Sequence, residues 1–557
     1  MKPTRVLLSL FSILTVALLA GVPLTAFAAA SPTLSPDAPP PGMVPSSSTV
    51  GAVLTAWRAA EGKAIKKVST DVEVDAITAF GLTGTDRTVS TGDDFRDTFT
   101  LGPITTESGS YKGQRWRKNE NGIVVLETGV HKRNQIDSQA LRNADSTANA
   151  GVTLAGEVDR PTSAYILKVN PPNGRLEWLY IDKKTMLLDR SDEAYPAKRL
   201  MITYDDYRAV NGVMEPWHTH ISDGWPANET DTKILSDVVG QVVADADVKI
   251  PEGGAPIVTF PLNATTVKLP ARVDNGAVIV RLTINGRGLD FQLDSGASGI
   301  LLDSEVAKEL GIKTFGESVQ TTMGSYDATQ AVVPEIDFGA LTLRNTYVEC
   351  LPFTQQVGVG TKIVGLLGFD FIANAVVSVD YDSGAVTASL PGAFEPPVNT
   401  IAVPVSLDDG VPFVQVQVGE SVGDHFILDT GADSIVIFSQ FADAHPKDVA
   451  DKGLGKSIMQ YLPYITASGV GGEISMGLAQ LASYHFGSVN FTDFLAFRTP
   501  SGSAFEFEDT DGLVGSEILR YFTVTFDYKD SMIYLQPGKL LRSRLAKPTS
   551  TLHRAAI

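Results

Sequence analysis

Cysteine is nearly missing: Cys350 is the one cysteine in 557 residues. An intramolecular disulfide and a cysteine-based metal site are therefore excluded, and stability must come from packed cores. Positive charge is also short. Forty-five Lys and Arg stand against 64 Asp and Glu, a formal net charge of −19. Such a chain repels nucleic-acid phosphates and does not dock on anionic lipid by charge alone. Long apolar runs are scarce too. Beyond the N-terminus no run reaches the roughly 20 apolar residues of a spanning helix. What is present looks globular: 43% apolar and 20% charged residues supply real cores. The length suggests two to four domains. Fifty glycines and 31 prolines imply many turns, and so β-rich domains.

Lys2 and Arg5, an apolar run from Val6 to about Ala20, and Ala26-Phe27-Ala28 have the layout of a cleaved signal peptide over residues 1–28. Cleavage removes two cations and no acid, taking the charge from −19 to −21. The mature chain is expected in the periplasm or outside the cell, without a transmembrane anchor. Residues 29–49 are Pro/Ser-rich and read as a linker. Residues 50–247 begin with a helical stretch, Val53 to Ala60, ended by Gly62, and continue in alternating strands such as Asp71-Val72-Glu73-Val74 and Arg175 to Asp182. Residues 248–258, with Pro251-Glu252-Gly253-Gly254, read as a second linker.

An internal repeat follows, over residues 259–395 and 396–540, with a basic tail at 541–557. One copy carries Phe291-Gln292-Leu293-Asp294-Ser295-Gly296-Ala297, the other Phe426-Ile427-Leu428-Asp429-Thr430-Gly431-Ala432. Each is preceded by an alternating strand, Val278 to Ile284 or Phe413 to Val418. Each is followed by an apolar pair and glycine, Leu366-Leu367-Gly368 or Leu513-Val514-Gly515, and then by a strand ending in Asp380-Tyr381 or Asp527-Tyr528. Four features in the same order mark a duplication, and Pro391 to Pro397 separate the copies.

The motif has physical content. A buried strand running into a tight glycine turn delivers one carboxylate at its end. Two such carboxylates about 3 Å apart cannot both ionise and share one proton. One then acts as general base on a water; the other polarises a carbonyl and protonates the leaving amine. Neither a metal nor another cofactor is required. The pair titrates as a unit, so neither Asp294 nor Asp429 is singled out as the acid.

Leu428-Asp429-Thr430-Gly431-Ala432-Asp433 and the serine variant Asp294-Ser295-Gly296-Ala297 resemble the motif of the retropepsin-like aspartic proteases. The resemblance covers about Phe260 to Gly538 and implies a mainly β fold, in which two closed β-barrel halves in tandem form one bilobal catalytic unit. It implies catalytic Asp294 and Asp429, supported by Ser295, Gly296, Thr430 and Gly431. It also implies a glycine-rich flap over the substrate at Gly469, Gly471 and Gly472; in the first copy Met323-Gly324 is a fainter match. The implied activity is exported aspartic endopeptidase, with a polypeptide as substrate. With both halves in one chain, a monomer is expected. Asp433 has Ser298 as its counterpart, so the cleft should be asymmetric.

Residues 180–217 have a strand-turn-strand cadence that resembles the bacterial lipoprotein-carrier, or outer-membrane lipoprotein-sorting, fold: a curved antiparallel half-barrel around a helix. This gives the competing reading, a periplasmic lipid or lipoprotein carrier with a non-catalytic protease-like module. His218-Thr219-His220 puts two histidines on one strand face, but no third ligand is identifiable, so no metal site is expected. Trp57, Trp116, Trp178 and Trp217 read as core or cavity lining.

Overall fold

The computed structural model describes residues 38–64, 70–127, 140–141, 144, 151–172, 174–195, 199–321, 325–353, 355–357, 360–451, 465–469, 472–492, 494–501 and 510–545. The signal segment 1–28 and the end of the basic tail lie outside them. The chain is mainly β and forms two compact units, with the main division between Glu252 and Gly253. Among the described residues no helix is long and apolar enough to cross a membrane.

The first unit is one 13-stranded curved antiparallel sheet. Six strands from Thr70–Ala79 to Val124–Leu126 run outward in succession, and seven from Val152–Val158 to Thr230–Val239 run back. The two runs join where Thr70–Ala79 pairs with Thr230–Val239. Tight turns set the register. Asn211 and Gly212, both at positive φ, form the two-residue turn between Arg199–Val210 and Val213–Ser222.

The expected helix is Val50–Glu61. The Thr49 hydroxyl caps it by accepting from the Ala52 N–H (3.2 Å), and Gly62 at φ +80 ends it. Its buried stripe, Val53, Leu54 and Trp57, packs on Val152, Leu167, Val169, Leu179 and Ile181. Followed across the register, this helix-bearing face runs from Leu179 through Ser191, Ile202, Ile221 and Thr230 to Ala79. It then continues along that strand through Ile77, Asp75, Glu73 and Asp71. The face thus turns from apolar to acidic along one sheet.

Two boundaries differ from the sequence expectation. Residues 38–48 are not a free linker: the Val44 N–H donates to the Glu157 carbonyl (2.9 Å) and the Glu157 N–H to the Val44 carbonyl (2.8 Å). Met43 packs against Val158, Ile166 and Trp178 on the far face of the sheet. The apolar residues of that face need cover, and the proline-rich segment supplies it. At the other boundary Val248 is buried against Val72 and Val89, so the first unit continues past residue 247.

The second unit contains a nine-stranded and an 11-stranded sheet, one for each copy of the repeat, and a six-stranded sheet built from both. In this last sheet Val376–Asp380 pairs antiparallel with Phe522–Asp527, and Ser378 Oγ lies 2.8 Å from Thr525 Oγ1. The tail also differs from expectation. Residues Lys539–Leu545 form a helix with Leu541 buried, and the Arg544 guanidinium lies 5.5 Å from the Phe491 ring centre.

Candidate active site

Each copy places its aspartate in the same way. The strand Arg287–Leu293 pairs in parallel with Gly365–Leu367, and the Asp294 N–H donates to the Leu367 carbonyl (3.1 Å). In the second copy Ser421–Leu428 pairs in parallel with Gly512–Val514, and the Asp429 N–H donates to the Val514 carbonyl (3.0 Å). Leu293, Leu366, Leu367, Leu428, Leu513 and Val514 are all fully buried. The apolar residues thus anchor the strands, and the carboxylates emerge where the strands stop.

The glycines of the apolar-apolar-glycine segments back these loops. A Cβ at Gly368 would lie 2.3 Å from the Ala297 carbonyl oxygen, and one at Gly515 2.3 Å from that of Ser434. Real Cβ atoms do not approach so closely, so only glycine fits behind the aspartate turns.

The two turns hold each other. Ser295 Oγ donates to the Leu428 carbonyl (2.7 Å) and accepts from the Thr430 N–H (3.0 Å). Thr430 Oγ1 donates to the Leu293 carbonyl (2.8 Å) and accepts from the Ser295 N–H (3.0 Å). All four bonds cross between copies, and both hydroxyls are buried. They therefore fix the separation of the aspartates in a low-dielectric interior.

Asp294 and Asp429 meet, and both are 0% exposed. A Cβ at Gly296 would fall 2.8 Å from Asp429 Cγ, and one at Gly431 2.5 Å from Asp294 Cγ. Each carboxyl therefore lies over the other copy's glycine, which explains the glycine at that place. Asp294 Oδ1 accepts from the Gly296 N–H (2.9 Å). Asp429 Oδ1 accepts from the Gly431 (2.7 Å) and Ala432 (3.1 Å) N–H groups. Both Oδ2 atoms are buried, and no N–H of the described residues donates to them.

Burial, then the Asp429 charge, and the bond to Asp429 hold the Asp294 carboxyl well above the usual carboxylate range. Burial also raises Asp429, to about 6, against the lowering effect of its bonds from Asp294, Gly431 and Ala432. Both carboxyls are thus held above their ordinary range, and the pair titrates as a unit.

Three residues at the site were not singled out from the sequence. Gln292 is buried, and its Nε2 donates to the Gly431 carbonyl (3.2 Å), a fifth tie between the copies. Tyr381 and Tyr528 follow the paired strands of the six-stranded sheet. Burial raises both phenols, and the dyad raises them further: Asp429 acts on Tyr381, and Asp294 and Asp429 on Tyr528. The Tyr528 ring stacks on Phe369 (6.1 Å between centres), the residue after Gly368. The repeated Asp-Tyr in the sequence was the available signal.

The flap residues are partly visible. Ile465–Gly469 and Gly472–Leu481 form a hairpin in which Gly469 pairs with Gly472; Gly471 lies outside the described residues. The first copy has a long hairpin too, Thr314–Thr321 against Ser325–Phe338. Its turn, with Met323 and Gly324, is outside the described residues, so the fainter glycine signal in that copy does not mean a missing hairpin. His218 is engaged elsewhere, in the first unit. Its Nδ1 lies 2.8 Å from Asp205 Oδ1 and its Nε2 2.6 Å from Asp231 Oδ2, so carboxylates take both ring nitrogens.

Residues 280–371 match the aspartyl protease family, so this stretch is an aspartyl protease-like region. No curated protein matches the chain. Among solved structures, the aspartic proteinase from Irpex lacteus is 13% identical, with 49% of this chain and 98% of that one covered and a TM-score of 0.31. Basic 7S globulin from soybean is 12% identical over 51% of this chain and 97% of that one, with a TM-score of 0.32. A DUF1329 family protein from Desulfovibrio piger is 16% identical over 36% of this chain and 97% of that one, with a TM-score of 0.27.

Proposed function

We propose that residues 259–540 are an aspartic endopeptidase assembled within one chain, and that the protein is exported to the periplasm or the medium. The observation that carries this reading is the buried, mutually braced pair Asp294–Asp429, each carboxyl over the other copy's glycine. In the singly protonated pair, the ionised carboxylate takes a proton from a water. That water attacks the scissile carbonyl carbon, while the protonated carboxyl donates to the carbonyl oxygen. Collapse of the tetrahedral intermediate breaks the C–N bond, and a dyad proton goes to the leaving amine. Ser295 and Thr430 keep the carboxyls at working distance through their crossed bonds. The two hairpins, with Gly469, Gly471 and Gly472 in the second, close over an extended peptide.

The test is incubation of the mature protein with a peptide library across pH, beside the Asp429→Asn variant. Cleavage by the wild type alone supports the reading. Equal cleavage by both, or none by either at any pH, overturns it. The proposed working unit is a monomer, since both carboxyls come from one chain; sedimentation at assay concentration checks this.

A further inference from the structure

The two copies differ at one buried position beside the catalytic pair. Gln292 stands two residues before Asp294, and Ile427 stands two residues before Asp429. Both are nearly fully buried, at 2% and 1% exposure. Isoleucine is the ordinary residue for such a place, and glutamine is not. The Gln292 Oε1 is buried without a donor, and an unmet buried acceptor is destabilising. The first copy therefore keeps a polar group where packing alone favours an apolar one.

The other end of the amide gives the reason. Gln292 Nε2 donates to the Gly431 carbonyl of the second copy (3.2 Å). That carbonyl belongs to the same peptide group as the Ala432 N–H, which donates to Asp429 Oδ1 (3.1 Å). The Gly431 N–H donates to the same oxygen (2.7 Å). Gln292, the Gly431–Ala432 peptide and Asp429 thus form one chain of hydrogen bonds that crosses between the copies. Such a chain is cooperative. A donor at the peptide oxygen makes the peptide N–H a stronger donor, and the gain is largest toward a negative charge. Ile427 has no donor, so the Asp294 turn receives nothing equivalent from the matching place.

We propose that Gln292 is a positioning residue for the pair, acting through the Gly431–Ala432 peptide to favour its ionised form. This rests on the peptidase reading and deepens it. The ionised pair is the state that activates water, so Gln292 helps set the pH at which cleavage begins. The pair still titrates as a unit, and neither carboxyl is singled out. Three other groups act on the pair or feel it. The Asp433 charge, on the same loop, opposes ionisation of Asp429. The Tyr381 and Tyr528 phenols, from the six-stranded sheet, are held neutral by burial and by the dyad.

The test uses the whole mature protein with two substitutions. Gln292→Met keeps the length and removes the donor; Gln292→Ile copies the residue of the second copy. Without the donor the pair ionises less readily. On a peptide that wild type cleaves, the acid limb of the kcat/KM profile should move up by at least about 0.3 pH unit, a twofold change in proton affinity. The second measurement needs no activity. A pair whose pKa is raised on folding loses stability as pH rises through the folded value, and without Gln292 that loss is larger. The melting temperature of each variant relative to wild type should therefore fall between pH 4 and pH 7. In an Asp429→Asn background the same substitutions should give a difference that does not change with pH, whereas a purely structural role gives a constant difference in both backgrounds. An unshifted acid limb, or a melting difference that is constant with pH or varies equally in both backgrounds, overturns the inference and leaves the peptidase reading standing. If wild type cleaves no peptide, that reading falls, and the melts alone decide whether Gln292 acts on the pair. If Gln292→Met does not fold, Gln292→Ile carries both measurements, because the second copy already accommodates isoleucine at the matching place.

Discussion

At Gly431 a methyl group is enough to disturb the site, because an added Cβ would lie 2.4 Å from Asp294 Oδ2. Gly431→Ala should therefore displace Asp294 and remove nearly all peptidase activity, read as kcat/KM on a cleaved peptide. Thr430→Val keeps the shape but strips two buried groups, the Leu293 carbonyl and the Ser295 N–H, of their partner. It should cost roughly 2–5 kcal/mol of stability in urea unfolding, whereas Thr430→Ser should cost much less. The pair also sets a pH dependence. A carboxyl whose pKa is raised on folding binds its proton more tightly in the native state. Its stabilising effect is therefore full below the ordinary range near 4 and is lost as pH rises through its folded value, about 6 for Asp429. Asp429→Asn has no such loss. Its melting temperature relative to wild type should rise between pH 4 and pH 7, while cleavage disappears. Melts of both proteins across that range decide the matter; a constant difference would contradict the raised pKa.

Elements add a second kind of coupling. The strand Val213–Ser222 carries His218, held between Asp205 on one neighbouring strand and Asp231 on the other. The bond to Asp231 leads in raising the His218 pKa above its ordinary value. A group raised in this way contributes stability below its unfolded pKa, and the contribution is lost as pH rises through the folded one. His218→Asn should therefore destabilise more at pH 5 than at pH 8.5, measured by chemical unfolding at both. Elements also show what could be read from the chain. Val50–Glu61 was legible because its N-cap, apolar stripe and terminal glycine are local signals. The docking of residues 38–48 was not, because proline-rich composition describes backbone stiffness and not the exposed sheet face that captures it. The hairpin Thr314–Thr321/Ser325–Phe338 was legible only faintly, because pairing over so many residues needs no glycine signature at its turn.

Two compact units with separate cores should unfold as separate cooperative events. Calorimetry of the mature protein should show two transitions. A peptide mimic with a hydroxyl at the scissile position should move only one of them. A single transition would contradict this.

The sequence by itself determined the duplication, the mainly β character, and the aspartate, hydroxyl and glycine of each motif, because these are local patterns copied 135 positions apart. It could not determine that each glycine is there to clear the other copy's carboxyl, or that Gln292 and the two Asp-Tyr tyrosines join the site. Those depend on how the two copies come together, and no local propensity encodes them. The same reason hid the acidic stretch of the first sheet, where Asp237 stands opposite Glu73. Asp71 and Glu73 are 164 or more positions from Asp237, so no local pattern links them. Only the pairing of Thr70–Ala79 with Thr230–Val239 brings those carboxylates together, because hydrogen-bonded register places distant side chains on one face of a sheet.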